Sequence, residues 1–171
     1  MMSTTATRVF PNDLTLQFVG RKADVALFEN LGIEDQQPLR GNWLSPEDSP
    51  GLLCTGISKL VQWIIIELLS EYGQDLYEPE RGTKLMPLLQ QGWFLGTVEA
   101  MQAVSLAIPA VERAVSGISE FADEDLESLQ VLKVEPGPVP GVMSLYLQVN
   151  SRDGDQREVI LPLSGAGLVT E

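Results

Sequence analysis

Leu60, Val61, Ile64, Ile65, Leu68, Leu69 and Tyr72 recur at steps of three, four and one along the chain. That spacing predicts an α-helix over about 57–72 with a wide apolar face. Trp63 and Ile66 widen the face further, and Lys59, Gln62, Ser70 and Glu71 leave only a narrow polar one. A helix this apolar is expected to be buried on most sides, within the fold or against another subunit. Thr55 is placed to cap its start through the hydroxyl, and Gly73 to follow its last turn. A second stripe follows at Met101, Val104, Ile108, Val111, Val115 and Ile118. It predicts a helix from Thr97, as its cap, to about Gly117, with Glu99 at the positive end. Pro109 removes one backbone donor, but the stripe keeps its phase, so one bent helix is expected rather than two. The period then changes to two. Met143, Leu145, Leu147 and Val149 alternate with Ser144, Tyr146, Gln148 and Asn150, the pattern of a half-buried strand. Leu129–Val134 and Arg157–Pro162 read as strands on either side, the latter with Val159, Leu161 and Leu163 inward. A Pro-rich loop at 135–141 and a turn at Asn150–Asp155 join the three.

The remaining segments are less periodic. Residues 1–13 read as a tail and Leu14–Val19 as a short strand. From Gly20 to Pro50 an irregular arm is expected, with one helical turn near Lys22–Asn30. In the loop 75–83, Leu76 and Tyr77 are expected to pin the chain to the core, Pro79 fixes one φ angle and Gly82 permits a sharp bend. Lys84–Gln91 suits a short helix with Pro87 near its start. The whole predicts an α+β fold, two main helices packed on a three- to four-stranded antiparallel meander. Its divisions are an N-terminal arm over 1–54, one domain over 55–163 and a tail over 164–171.

Charge narrows what such a domain can do. The 171 residues include 24 Asp or Glu, 11 Lys or Arg and no His, a formal net charge of −13. Clustered cations for phosphate contacts are lacking, so nucleic-acid binding is not expected. Without His, a Ser–His–Asp triad, a Cys–His dyad and imidazole metal sites are impossible. The lone Cys54 forms no intramolecular disulfide and reads as a buried structural thiol. No Gly-x-Gly-x-x-Gly, Gly-Lys-Ser/Thr or Gly-x-Ser-x-Gly sequence occurs. Paired carboxylates remain as the one acid–base scheme with many candidates, but nothing marks two of them as facing across a cleft. Acids at 120, 123, 124, 125 and 127 read as a solvated connector, and Asn150–Asp155 as a hairpin turn rather than a calcium loop. A non-enzymatic protein with no cofactor and no metal is therefore expected. Met1–Thr7 is polar and Trp63–Ile66 is too short to span a bilayer, so a soluble, intracellular protein with no membrane partner is expected.

The order of features resembles the baseplate assembly protein W family, the small wedge or sheath-initiator proteins of contractile phage tails and related injection machines. That family has a helix, a loop with Pro and Gly before a Leu-rich turn, a second helix and a β-meander. Here those parts are Ile57–Gly73, Glu78–Gly82 with Leu85–Leu89, Thr97–Gly117 and Leu129–Leu163. The family's Glu-Pro-Arg motif near the end of the second helix corresponds to Glu112 and Arg113, without the intervening proline. Glu78-Pro79-Glu80-Arg81, followed by Gly82, is a second near match in the earlier loop. The resemblance implies a structural subunit that docks through Glu78, Pro79, Arg81, Gly82, Glu112 and Arg113. Its partners would be other baseplate wedge subunits and the tail sheath protein. It also implies multiple copies in a symmetric virion baseplate, assembled in the host cytoplasm, and initiation of the sheath by strand exchange. An acidic secretion-type chaperone holding an unfolded client is the alternative, and a carboxylate-dependent cell-wall hydrolase a weaker third.

Overall fold

The computed structural model describes residues 24–25, 53–91, 96–137 and 142–164. The expectations for Leu14–Val19, for the two tails and for most of the arm lie outside the described residues. Among the described residues nine elements follow one another. They are β1 (Asp24–Val25), β2 (Leu53–Cys54), α1 (Gly56–Leu69), α2 (Leu85–Gln90), α3 (Thr97–Val115), a 3-10 turn (Ala122–Glu124), β3 (Leu126–Pro136), β4 (Val142–Ser151) and β5 (Gln156–Ser164).

The fold is α+β, with two main helices against a three-stranded antiparallel sheet in the order β3-β4-β5. Period-two alternation places Met143, Leu145, Leu147 and Val149 of β4 in the core beside Val159, Leu161 and Leu163 of β5. Leu145 and Leu161 are direct cross-strand partners, as are Leu147 and Val159. Each such fully buried aliphatic side chain contributes roughly 1.5–3 kcal/mol. β3 extends beyond the expected Leu129–Val134 at both ends, and two register shifts interrupt its pairing with β4, between Leu126 and Ser128 and between Val131 and Lys133. Each shift puts an extra residue between successive inward positions, so Leu126, Leu129 and Val134 are buried at odd spacings.

The apolar side of α1 buries Leu60, Val61, Ile64, Ile65 and Leu68, and α3 contributes Ala100, Val104, Ala107, Ile108, Val111 and Val115. α3 is one unbroken helix through Pro109, which lies on its exposed side. Met101 and Ile118, at the two ends of the expected stripe, are exposed instead: Ala100 takes the buried position in the first turns of α3, and Ile118 lies beyond the end of the helix at Val115.

Several local expectations are corrected. α1 ends at Leu69, where Ser70 turns extended and its N–H bonds to the Ile66 carbonyl. Gly73 therefore belongs to the following turn and Tyr72 is exposed. Thr55 occupies the N-cap position of α1 but its hydroxyl makes no capping bond. Gly96, rather than Thr97, precedes α3. Asp24–Val25 pairs antiparallel with Leu53–Cys54 in place of a helical turn, which ties a piece of the arm beside the start of α1. Among the described residues no fourth strand joins the main sheet.

Candidate docking site

The loop from Ser70 to Lys84 carries four of the six expected docking residues, and a carboxylate from α1 organises it. Glu67 sits in the last turn of that helix with its side chain 2% exposed. The negative end of the helix disfavours a carboxylate there, so it needs donors from elsewhere. Arg81 supplies two, Nε at 3.0 Å and Nη2 at 2.8 Å, both to Oε2. The Gly82 N–H donates to Oε1. Arg81 also gives Nη1 to Glu78 at 2.9 Å. These two carboxylates raise the guanidinium pKa, Glu78 most. Gly82 itself adopts φ +87°, and a Cβ there would lie 2.7 Å from the Glu71 carbonyl oxygen and 2.9 Å from that of Ser70. Only glycine fits both the left-handed backbone and the close approach.

Backbone bonds complete the closure. Thr83 N–H donates to Ser70 O at 2.8 Å, Tyr72 N–H to Thr83 O at 2.9 Å, and the Thr83 hydroxyl to Leu68 O at 2.7 Å. Inside this closed base, Asp75 Oδ1 accepts the N–H groups of Tyr77 and Glu78 at 2.8 and 3.3 Å. Asp-centred turns of this kind replace core contacts as the source of local order. Leu76 and Tyr77 do not pin the loop to the core: they are 92% and 95% exposed at its tip.

Glu112 and Arg113 lie elsewhere. Glu112 is half-buried and accepts the Leu129 N–H at 3.4 Å, linking α3 to β3. Arg113 is exposed in the last turn of α3, where a cation suits the helix dipole. Gly117, just beyond α3, bonds to Asp125, and Gly56, at the start of α1, bonds to Glu124. The end of α3 and the start of α1 thus meet at one turn. The 70–84 loop is at the far end of the 14-residue α1, about 20 Å away along the helix. The structure does not bring the two groups of expected docking residues together.

That shared turn also corrects the reading of the acidic connector. Glu124 is buried and accepts from Lys59 Nζ at 3.0 Å, Ser119 Oγ at 2.9 Å and Gly56 N–H at 3.3 Å. Asp125, also buried, pairs with Arg152 at 3.0 Å. Lys59 lies 4.7 Å from the Trp63 ring centre, and the Trp63 indole N–H donates to Asp24 at 2.9 Å. Lys59 and Gln62 are buried, so the expected polar face of α1 is largely internal. A cleft of about 460 Å³ lies over this network, walled by Trp63, Ile118 and Phe121. Cys54 is buried beside it as expected, and burial first, then Asp24, pushes its thiol pKa up to about 11.

Glu67, Lys59 and Glu124 were missed by sequence reasoning, since each finds its partner 14 or more residues away. Among the described residues no group of three or more Cys, Asp or Glu side chains could hold a metal ion. Among them, too, no helix is long and apolar enough to cross a membrane. No family model matches the chain, and no curated protein matches it.

Proposed function

We propose that this protein is a non-enzymatic assembly subunit, a baseplate wedge component of a contractile tail or related injection machine. It docks on other wedge subunits and starts the sheath by strand exchange. The observation that carries the reading is the meander itself. β5 stands at one edge of the sheet, and among the described residues no strand pairs with its outer side. An edge strand offers a row of backbone donors and acceptors to an incoming chain. The buried carboxylates Glu67 and Glu124, at opposite ends of α1, are each engaged by three donors, and the buried Asp125 pairs with Arg152. The test is mass spectrometry of purified contractile particles, together with mixing of the purified protein with sheath and wedge subunits. Its presence in the particle and a complex with either subunit are the expected results. Absence from both sinks the reading.

The acidic-chaperone alternative takes support from Val98, Met101 and Leu106, exposed on α3. Such chaperones dimerise through an apolar helix. A dimer in sedimentation equilibrium that Leu106→Ser dissolves, with no protein in the final particle, favours this second reading.

A further inference from the structure

The tip of the 70–84 loop puts two adjacent large apolar side chains into water on a base closed by the Thr83–Ser70, Tyr72–Thr83 and Arg81–Glu67 hydrogen bonds. Exposed apolar side chains held rigidly lose little freedom on binding, and aromatic residues in such positions dominate interface energies. Beside the tip runs a groove of about 290 Å³ between the end of α1 and the loop, lined by Ile66, Ser70, Gln74, the carboxylates of Glu67, Glu71 and Asp75, and Arg81. Around tip and groove stand Glu71, Asp75, Glu78 and Glu80; of the loop's two cations, Arg81 is already engaged by Glu67 and Glu78, and the exposed Lys84 stands at the loop's end, where α2 begins.

From this arrangement we infer that the groove and the Leu76–Tyr77 tip hold a basic amphipathic segment of a partner protein. Its apolar side chains lie against Leu76, Tyr77 and Ile66, and its Lys or Arg side chains meet Glu71, Asp75 and Glu78. Charge selects this occupant over the others. A second copy of the chain, at net charge −13, brings like charge to the acidic rim, and so does an anionic membrane surface. The inference rests on the assembly reading only for the choice of a protein as partner.

The experiment is selection of peptides from a random display library on the immobilised full chain, followed by fluorescence anisotropy of the enriched peptides. Enrichment of Lys or Arg interleaved with aromatic or aliphatic residues is expected. Binding should weaken about tenfold or more in Leu76→Ser and in Tyr77→Ser, fall with added salt, and stay unchanged in Gln102→Ala on α3. Matching circular dichroism and melting curves for the tip variants establish that they fold. No enrichment, peptides without basic residues, or affinity indifferent to the tip variants overturns the inference. So does tip-dependent dimerisation in sedimentation, or tip-dependent binding to vesicles rich in anionic phospholipid. The two failures are separable. Absence of the protein from purified particles removes the assembly reading and leaves peptide binding intact. Tip variants that enter particles at normal copy number, with peptide binding lost, show that assembly proceeds through another surface and overturn the tip as its docking site.

Discussion

The two ends of α1 are each closed by a buried carboxylate that accepts three hydrogen bonds, yet the partners differ in kind. At the start of the helix, Glu124 comes from outside and meets the Gly56 N–H and Lys59, so the helix dipole favours the charge. The side chains of Lys59 and Glu124 are only 6% and 1% exposed. At the other end, Glu67 belongs to the helix itself and sits where the dipole opposes it. The compensating Arg81 is 42% exposed and divides its fork between Glu67 and Glu78. The first pair is sealed and joins the arm, α1 and the 119–125 turn into one interior. The second keeps one partner in water and holds a loop outward. A sealed pair welds segments together, whereas a half-wet pair can brace a surface for contact.

The largest expected effect is at the sealed end. Lys59→Met leaves Glu124 buried without its cation, which costs about 3–5 kcal/mol. Adding Glu124→Leu in the same chain should recover part of that loss, because it removes the unpaired buried charge while leaving the Gly56 N–H and the Ser119 hydroxyl without their acceptor. Urea unfolding of the single and double variants checks both, and equal losses in the two would break the contrast. Gly82→Ala comes next. A left-handed φ and a Cβ pressed against the backbone of residues 70–71 should cost about 2–3 kcal/mol. Arg81→Ala should cost less, about 1–2 kcal/mol, because solvent reaches the exposed side of the pair and Gly82 still donates to Glu67. Arg81→Lys should restore only part of this, since an ammonium cannot reproduce the fork that spans Glu67 and Glu78.

How readily these features could be read from the chain follows from the range over which each is encoded. In β4 apolar and polar residues alternate from Met143 to Asn150, and in β5 Val159, Leu161 and Leu163 keep the same period although Ile160 between them is buried too, so both strands declare themselves in neighbouring residues. β3 hides part of its length because the bulges near Leu126 and Val131 break the period on which recognition depends. The α1 stripe is legible, but Glu67 lies within the apolar side and its partner follows 14 residues later, beyond a glycine bend. Nothing in the spacing of the five acids at 120–127 tells which one meets Lys59, 65 residues earlier. Leu76 and Tyr77 read as anchors because apolar side chains are usually buried. Asp75 reverses that outcome by turning the backbone through its own hydrogen bonds. The charge, proline and glycine of Glu78–Gly82 are plain in the sequence, but the use of Arg81 and Gly82 by the buried Glu67 is not.

Cys54 gives the sealed end a reporter. Its thiol pKa rises from 9.0 to about 11 in the folded chain. The folded state therefore keeps a proton that the unfolded chain gives up. This contribution to stability is fully present below about pH 9 and is lost as the pH rises through about 11. Thiolate is the reactive form, so iodoacetamide labelling at pH 9 should run about fifty-fold slower in the native protein than in urea. Lys59→Met removes a cation that lowers the thiol pKa, so a faster native rate in that variant reports opening of the end itself, while Arg81→Ala should leave the rate unchanged. Equal acceleration by both variants would mean that the two ends open as one unit.

The smallest effect is expected at the tip, and it separates bracing from contact. Leu76→Ser and Tyr77→Ser remove side chains that are already more than nine-tenths exposed, so each should change unfolding free energy by less than about 0.5 kcal/mol. Arg81→Ala removes nothing from the tip surface, but it loosens the base on which the tip stands. It should therefore lower both stability and peptide affinity, whereas the tip variants lower affinity alone. A stability loss above about 1 kcal/mol for either tip variant would place that side chain against the body of the protein in solution. The wet pair would then be closing the fold, as the sealed pair does, and the distinction between the two ends of α1 would be gone.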